Sequence, residues 1–217
     1  MANDISIDEA YSSEPWWYDV RGLLILKFAY RGSLYSQVKF FAKNIGDKHL
    51  EVAIGSGSLF NLIVHYCKLT KKPLKQVDGF DYAPMMINGA KKRFAKVANM
   101  SLFLADAADT KLQSNTYNTI NIANAIHCLP EIDKSLKEMH RLLLPNGTLA
   151  GNCLLYPKGQ TFLDKISNKI NDWGTKKGIL QRPYTQSELR LLLKDAGFEL
   201  AYENVQGNCY DFIARKK

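Results

Sequence analysis

The sequence predicts an α/β protein with a doubly wound, mostly parallel β-sheet and helices on both faces. Runs rich in β-branched and aromatic residues alternate with helical patterns, which is typical of right-handed β-α-β crossovers. A glycine turn follows the first run, and an acid ends each of the next two. The last two runs are separated by a short turn, which predicts a C-terminal antiparallel hairpin.

Composition indicates a globular protein without a membrane span or a metal site. The chain has 217 residues, of which 46% are hydrophobic and 23% charged. No apolar run approaches the roughly 20 residues that a membrane span needs, and the polar, acidic first ten residues argue against a signal peptide. Four cysteines lack metal-ligand spacing and are interpreted as reduced thiols of a cytoplasmic protein. They are Cys67, Cys128, Cys153 and Cys209.

The formal net charge of +8 is concentrated in a few basic runs. These runs lie at 68–75, 91–96, 165–177 and 215–217. Such runs are most often solvated faces, and a surface for an anionic substrate or for membrane headgroups is the next interpretation. No recognised nucleic-acid motif is present, so we expect no nucleic-acid partner.

Residues 1–45 precede the first strand and are rich in aromatic side chains. Pro15 fits a helix start, and Leu34, Val38 and Phe41 recur at helical spacing. Two interpretations stay open: two helices that pack on the core, or a lid that walls a binding pocket. The aromatic residues that would form such a wall are Tyr11, Trp16, Trp17 and Tyr18.

The first strand is predicted over 49–54, where the apolar residues precede the turn Gly55-Ser56-Gly57 and a helix at about 58–68. Glycine permits positive φ and lets a ligand approach the main chain closely. The helix N-terminus behind the turn offers unpaired N–H groups and a partial positive charge. This strand–turn–helix unit is therefore the candidate ligand site, although a lone Gly-x-Gly is a weak signal.

The remaining elements follow in alternation. Strands are predicted at 76–81, 100–106, 117–123 and 148–155, helices at 84–97 and 132–143, and a turn at 145–147. Residues 156–184 are polar, basic and weakly periodic, and we interpret them as an inserted helix or lid. Thr185 to Glu188 read as a capping box that opens a helix ending at Gly197. The final antiparallel pair is predicted at 198–205 and 210–214.

Acids at two successive strand ends indicate which ligand the turn binds. Asp81 lies 24 residues beyond Gly57, where a carboxylate can accept hydrogen bonds from ribose hydroxyls. A dinucleotide site needs a third glycine where this chain has Phe60, and no Gly-Lys-Ser/Thr of a P-loop follows. Together with Asp106 after the third strand, the pattern favours a nucleoside without a pyrophosphate.

Five segments in order resemble the motifs of class I S-adenosylmethionine (SAM)-dependent methyltransferases. They are residues 51–57 (EVAIGSG), 79–86 (GFDYAPMM), 104–107 (LADA), 121–129 (NIANAIHCL) and 138–149 (EMHRLLLPNGTL). The resemblance covers roughly 45–155 and is closest to the small-molecule group that includes the ubiquinone/menaquinone methyltransferases. One departure is Ala53, which stands where that family usually has its first motif glycine. Its methyl group narrows the turn without closing it, so we expect Ala53 to bind the cofactor as well.

The resemblance implies a Rossmann-like, seven-stranded sheet, SAM as cofactor and a single methyltransferase domain. Within that domain it implies an N-terminal helical lid at 1–45, a SAM-binding core at 46–155, an inserted helix or lid at 156–184, and a C-terminal helix and hairpin at 185–217. Gly55 and Gly57 would pass under the methionine portion of SAM, and Glu51 would hold its amino group. Ala123 and Asn124 would line the methionine and methyl end.

The same resemblance assigns the adenosine end. Asp81 would bind the ribose hydroxyls, Tyr82 and Met86 would pack on the adenine, and Asp106 would accept from its amino group. The Ala107 N–H would face a ring nitrogen. The alternative for Asp81 and Asp106 is a strand-end turn or helix cap.

Catalysis would be direct displacement at the sulfonium methyl, for which alignment of the acceptor matters most. His127 follows the fourth strand and is the candidate general base; the alternative is a helix-start or core histidine. Tyr11, Trp17 and Tyr156 are candidate pocket walls, with core packing as the alternative for each.

The aromatic N-terminal segment and the insert favour a small, partly apolar or aromatic acceptor, and no Asn-Pro-Pro-Tyr motif for exocyclic amines is present. An RNA or protein methyltransferase and a non-catalytic SAM-binding module are the alternatives, and a nicotinamide dehydrogenase is a more distant one. The sequence does not indicate an oligomeric state.

Overall fold

The computed structural model describes residue 25 and residues 29–157, 159, 161–178 and 180–217. Seven strands form one sheet: β1 (Lys48–Val52), β2 (Gln76–Asp81), β3 (Met100–Leu104), β4 (Tyr117–Ile122), β5 (Leu143–Leu154), β6 (Phe198–Gln206) and β7 (Cys209–Lys216). The helices are α1 (Leu34–Asn44), α2 (Ser58–Leu69), α3 (Pro84–Arg93), α4 (Ile132–Leu142), α5 (Phe162–Lys176) and α6 (Gln186–Asp195). A 3₁₀ turn lies at Ile126–Cys128.

The strand order is β3-β2-β1-β4-β5-β7-β6. The five strands from β3 to β5 run parallel, whereas β7 lies antiparallel between β5 and β6. The chain moves outward from β1 to β3 and then returns to place β4 on the other side of β1. This reversal opens a crevice at the carboxyl ends of β1 and β4. The predicted seven-stranded, mostly parallel sheet with a C-terminal antiparallel hairpin is confirmed.

Helices cover both faces of the sheet. On one face α1, α2 and α3 bury Phe41, Ile63 and Ile87 together with the side of the sheet they face. On the other face α4 and α6 bury residues such as Leu136 and Leu189 against a second cluster. The last three residues of β1, β2 and β4 are all buried between these two layers.

The predicted strand ends agree with the structure to within two residues at β1 to β4, and β2 matches at both ends. The turn predicted at 145–147 lies instead within β5. Tyr117 pairs with Leu143 and the ladder then resumes at Thr119 and Thr148, because Asn146 takes a φ of +63° and the extra residues bulge out of the ladder. The turn residues therefore mark a bulge near the start of the strand.

Three helices have the boundaries that their capping residues dictate. Ser33 accepts a hydrogen bond from the Ser36 N–H at the start of α1. Thr185 forms the predicted capping box with Glu188 at the start of α6, and Thr161 forms another with Asp164 at the start of α5. The predicted helix start at Pro15 lies outside the described residues. Within the part of the chain that the structure describes, no helix has the length and apolar character to cross a membrane.

Candidate active site

A cavity of about 650 Å³ lies at the carboxyl ends of the parallel strands. Its lining comes from two parts of the chain. The ends of β1, β2 and β4 and the residues after β3 form one side, and residues from α1, the 3₁₀ turn and α5 form the other. This position at the topological switch point is where open α/β sheets bind ligands.

The turn after β1 requires left-handed backbone at three alternate residues. The φ angles are +52° at Ala53, +60° at Gly55 and +78° at Gly57. A Cβ at Gly55 would meet no atom within 4 Å, whereas a Cβ at Gly57 would lie 2.4 Å from the Phe94 ring. Gly55 therefore leaves open space beside the main chain for a ligand, whereas Gly57 allows α3 and α2 to pack closely.

Asp81 links the glycine turn to the end of β2. Its Oδ2 accepts a hydrogen bond of 2.7 Å from the Gly55 N–H, and its Oδ1 accepts one of 2.9 Å from the Ala83 N–H. Burial raises the pKa of this carboxyl, although the bonds from the main-chain N–H groups act in the opposite direction. The carboxylate is thus fixed at the floor of the cavity, which it lines.

Glu51 projects from β1 and is 3% exposed. Its Oε1 accepts hydrogen bonds of 2.8 Å from His49 Nε2 and from Asn121 Nδ2, and His49 Nδ1 bonds the Thr119 hydroxyl at 2.7 Å. A buried carboxylate needs such partners because desolvation penalises its charge. Glu51 also lines the cavity, so a negative group is held rigidly beside the glycine turn.

The residues proposed for the adenosine end occupy the far side of β1. Tyr82 is half-exposed, Met86 is buried, and both line the cavity. Asp106 lies two residues beyond β3, accepts a 2.8 Å hydrogen bond from the Ala108 N–H, and lines the cavity with Ala107. The structure therefore places an aromatic ring, a thioether and a carboxylate around one pocket, the set that the resemblance implies.

Asn124 sits where β4 ends, and it has a φ of +56°. Its N–H donates a 2.6 Å bond to Asn152 Oδ1, and its side-chain amide exchanges two 3.2 Å bonds with Gln37 of α1. These bonds hold the strained backbone. Ala123, Asn124 and Gln37 all line the cavity, so two hydrogen-bonded carboxamides form part of its wall.

His127 lies in the 3₁₀ turn and is buried against Tyr30. The Leu154 N–H donates to its Nδ1 at 3.3 Å, and its Nε2 lies 2.7 Å from Tyr30 Oη. Since Nδ1 accepts, we assign the ring proton to Nε2, which donates to Tyr30. Burial lowers the pKa of His127 to about 3, so the ring is neutral at physiological pH.

Helix α5 closes the cavity with a polar group that sequence reasoning did not select. Asn171 is 6% exposed and lines the cavity. Its Oδ1 is the one buried side-chain oxygen or nitrogen without a hydrogen-bond partner among the described residues. Native proteins rarely leave such an acceptor unpaired, which singles out Asn171 among the residues of the cavity wall.

Several residues complete the account of the predicted site. All the predicted cofactor residues except Gly57 line the cavity, as does His127. Tyr156 is half-exposed and does not line it. Tyr11 and Trp17 fall outside the described residues. Sequence reasoning missed Tyr30, Gln37 and Asn171, which belong to segments without a motif.

Within the described residues, no group of three or more His, Cys, Asp or Glu side chains is arranged to hold a metal ion. The four cysteines are free thiols.

Comparison with known proteins agrees with this geometry. The methyltransferase-domain family matches residues 50–151, the segment that carries the glycine turn, both acids and Asn124. The family match and the fold together support a class I SAM-dependent methyltransferase, with SAM as the methyl donor.

Among its relatives is the ubiquinone/menaquinone biosynthesis C-methyltransferase UbiE of Rickettsia felis. The two are 27% identical over 190 residues, an alignment that covers 76% of this chain and 73% of the relative.

Two solved structures share the fold. A putative methyltransferase in complex with the Trm112 methyltransferase activator of Haloferax volcanii aligns with a TM-score of 0.70, 15% identity, 97% coverage of this chain and 99% of the other. The methyltransferase CalH, solved with S-adenosylhomocysteine (SAH), aligns with a TM-score of 0.63, 22% identity, and coverage of 83% and 55%.

Proposed function

We propose that this enzyme methylates a small, partly apolar or aromatic molecule that carries a hydrogen-bond donor. The observation that carries the proposal is the apolar wall of the cavity beside the buried Asn171. Leu34, Leu154, Ile170 and Leu180 contribute to that wall. Apolar walls with a few polar groups fit a small ligand better than a polymer, and the side-chain amide of Asn171 can hydrogen-bond an O–H or N–H that the ligand brings.

For the donor half, we propose the roles that the resemblance implies. Gly55 supplies open space beside the main chain, Glu51 holds the amino group, and Asp81 binds the ribose hydroxyls. Asp106 and Ala107 face the adenine edge, with Tyr82 and Met86 on its faces. When bound, SAM would supply a sulfonium-activated methyl group; transfer would break the S–CH3 bond, leave SAH as the neutral thioether and release the proton of the acceptor to solvent.

For His127 we propose positioning in place of the general-base role. A base works best with a pKa near the working pH, and a pKa of about 3 makes this ring a weak one. Its Nε2 bond instead orients Tyr30, which lines the cavity beside it. In this account the chain aligns the acceptor, and alignment contributes more than proton transfer to a displacement at an already activated methyl.

The relative named above suggests the first acceptor to test, because its name places it in ubiquinone/menaquinone biosynthesis.

We also propose that residues 1–45 and 156–184 act as lids over the 46–155 core, that 185–217 completes the single domain, and that the protein is cytoplasmic. The contribution of Ile170 and Asn171 to the cavity wall supports the second lid, and the four free thiols fit a reducing compartment.

Methyl-labelled SAM tests the proposal with two matched acceptors. One is a short-chain 1,4-naphthohydroquinone, and the other is its di-O-methyl ether, which keeps the apolar body but has no donor. We expect labelled product from the hydroquinone alone, detected by mass spectrometry. Label incorporated into RNA or protein and into neither small molecule would contradict the proposal.

Asn171→Leu tests the residue behind this choice. Removal of the acceptor should raise the KM for the hydroquinone about tenfold and leave the Kd for SAM unchanged. The variant should also be more stable than the wild type, because a buried unpaired oxygen is removed. Asn168→Leu is the matched control, since Asn168 is exposed on the same helix. An unchanged KM in Asn171→Leu would remove the acceptor-binding role.

A further inference from the structure

Helix α5 packs with its polar side inward, the reverse of an ordinary surface helix. Its buried residues are Asp164, Ser167, Asn171 and Gly174. Phe162 is 76% exposed and Leu163 is 44% exposed. Surface helices normally turn their apolar stripe toward the core, so the outward apolar side of α5 requires a separate explanation.

Hydrogen bonds fix this orientation. Asp164 accepts a 3.2 Å bond from Arg31 Nη1, and Ser167 Oγ donates to the Ala29 carbonyl at 3.4 Å. Asn208 Nδ2 in turn donates to Ser167 Oγ at 3.3 Å. Rotation of α5 to bury Phe162 would break these hydrogen bonds. The groups that now bond Asp164 and Ser167 would then lose their partners, which is costly. The apolar face therefore stays outward in the folded chain.

Three lysines share one side of this helix with two aromatic residues. Phe162, Lys165, Lys169, Trp173 and Lys176 follow one another at intervals of three and four residues, and all are exposed. Such spacing places side chains on one face of a helix. Trp173 is 40% exposed and also lines the cavity. Among the described residues, no carboxylate forms an ion pair with these three lysines. Asp172 is the exposed acid of this helix, so the face carries a net positive charge.

We propose that this outward face of α5 docks on an anionic phospholipid bilayer. An interfacial helix combines aromatic and aliphatic side chains that enter the lipid with lysines that contact the phosphate groups, and α5 presents both on one side. Charge complementarity favours anionic lipid over a second copy of the chain, whose net charge is also +8.

Docking would bring the active site to the membrane surface. Ile170 and Asn171 of the same helix line the cavity, so the cavity would lie about 10 Å from the lipid, the width of one helix. The docking inference does not depend on the proposed acceptor, because it rests on the outward residues of α5 alone.

Co-sedimentation of the full chain with vesicles tests the docking. We expect binding to vesicles of equal parts phosphatidylcholine and phosphatidylglycerol, and little binding to phosphatidylcholine alone. The double variant Phe162→Ser/Leu163→Ser should lose most of the binding. Lys165→Gln/Lys169→Gln should weaken it about 25-fold, because each lysine near an anionic surface contributes about a fivefold factor.

Leu191→Ser is the matched control, because Leu191 is 59% exposed on α6, away from this face, and should bind vesicles like the wild type. Thermal melts establish that each variant is folded. Equal binding to both vesicle types, or anionic binding that survives the Phe162→Ser/Leu163→Ser change, would overturn the proposal. A dimer in lipid-free buffer that Phe162→Ser dissociates would also overturn it, because the face would then be covered by a second copy.

Discussion

The two halves that we propose for the cavity, a donor half for SAM and an acceptor half for the second substrate, are built by different means. The donor half uses the main chain and the residues at strand ends, so that the Gly55 N–H, Asp81 and Glu51 are held by the sheet itself. The acceptor half uses side chains from separate segments, among them Tyr30, Gln37 and Asn171. A site fixed by backbone geometry leaves a recognisable motif, whereas one assembled from distant side chains does not.

Two glycines in the same turn give the largest expected effect and test the backbone construction of the donor half. Gly57→Ala should lower the free energy of unfolding by about 3 kcal/mol, since its Cβ meets the Phe94 ring and its φ is positive. Gly55→Ala should cost only about 1 kcal/mol from its φ. Chemical denaturation measures both.

For the affinity for SAM, measured on folded protein, Gly55→Ala should have the larger effect and Gly57→Ala the smaller one. A Cβ at Gly55 enters open cavity space, so SAM binding by the folded Gly55→Ala protein should weaken about tenfold or more. Equal losses of stability in the two variants would contradict the distinction between a packing glycine and a ligand-facing one.

His127 tests the acceptor half through pH. Its pKa falls from 6.5 to about 3 on folding, so its stabilising contribution is fully present above pH 6.5 and is lost progressively as the pH falls toward 3. Between pH 7 and pH 5 the wild type should lose about 2 kcal/mol more stability than His127→Gln. Denaturant titrations at the two pH values measure this difference.

The control for this comparison is His65→Gln, because His65 is exposed on α2 and the variant should keep the wild-type pH dependence. If His127→Gln also kept the wild-type pH dependence of stability, the His127 ring would not be the neutral, buried partner of Tyr30 described above. A wild-type rate of methyl transfer with an inflection near pH 6.5 that vanishes in His127→Gln would instead restore the general-base role.

Ala53 gives the smallest effect. Its φ of +52° is unfavourable for a residue with a Cβ, so Ala53→Gly should raise the free energy of unfolding by about 0.5 to 1 kcal/mol. Ala196→Gly is the control, since Ala196 has a φ of −81° and glycine there should destabilise. A loss of stability in Ala53→Gly would mean that the methyl group contributes packing that exceeds the backbone strain.

The sequence predicted the donor half well because local rules determine it. The alternation of short strand patterns with helical ones places β1, β2 and β4, and glycine with positive φ places the turn between β1 and α2. The acid that ends β2 then falls beside that turn, because the carboxyl ends of parallel strands share one edge. The fold class and most strand ends follow from the same regularities.

The acceptor half could not be predicted because its signals are not local. Helix α5 buries polar residues, so its periodicity misleads any rule that expects an apolar core face. One cue was present: Thr161 and Asp164 have the spacing of a capping box, which marks the start of α5. Tyr30, Gln37 and Asn171 come together only through the tertiary fold. Residues 145–147 likewise predict a turn but form a bulge, because proline, asparagine and glycine are common in both structures.

Calorimetric titration of SAH into the wild type and Asp81→Asn tests the central claim most directly, because Asp81 joins the glycine turn to the proposed ribose site. The account predicts binding by the wild type and a loss of about 50-fold or more in the variant, as charged hydrogen bonds become neutral ones. Equal affinities, or no binding by the folded wild type, would contradict it.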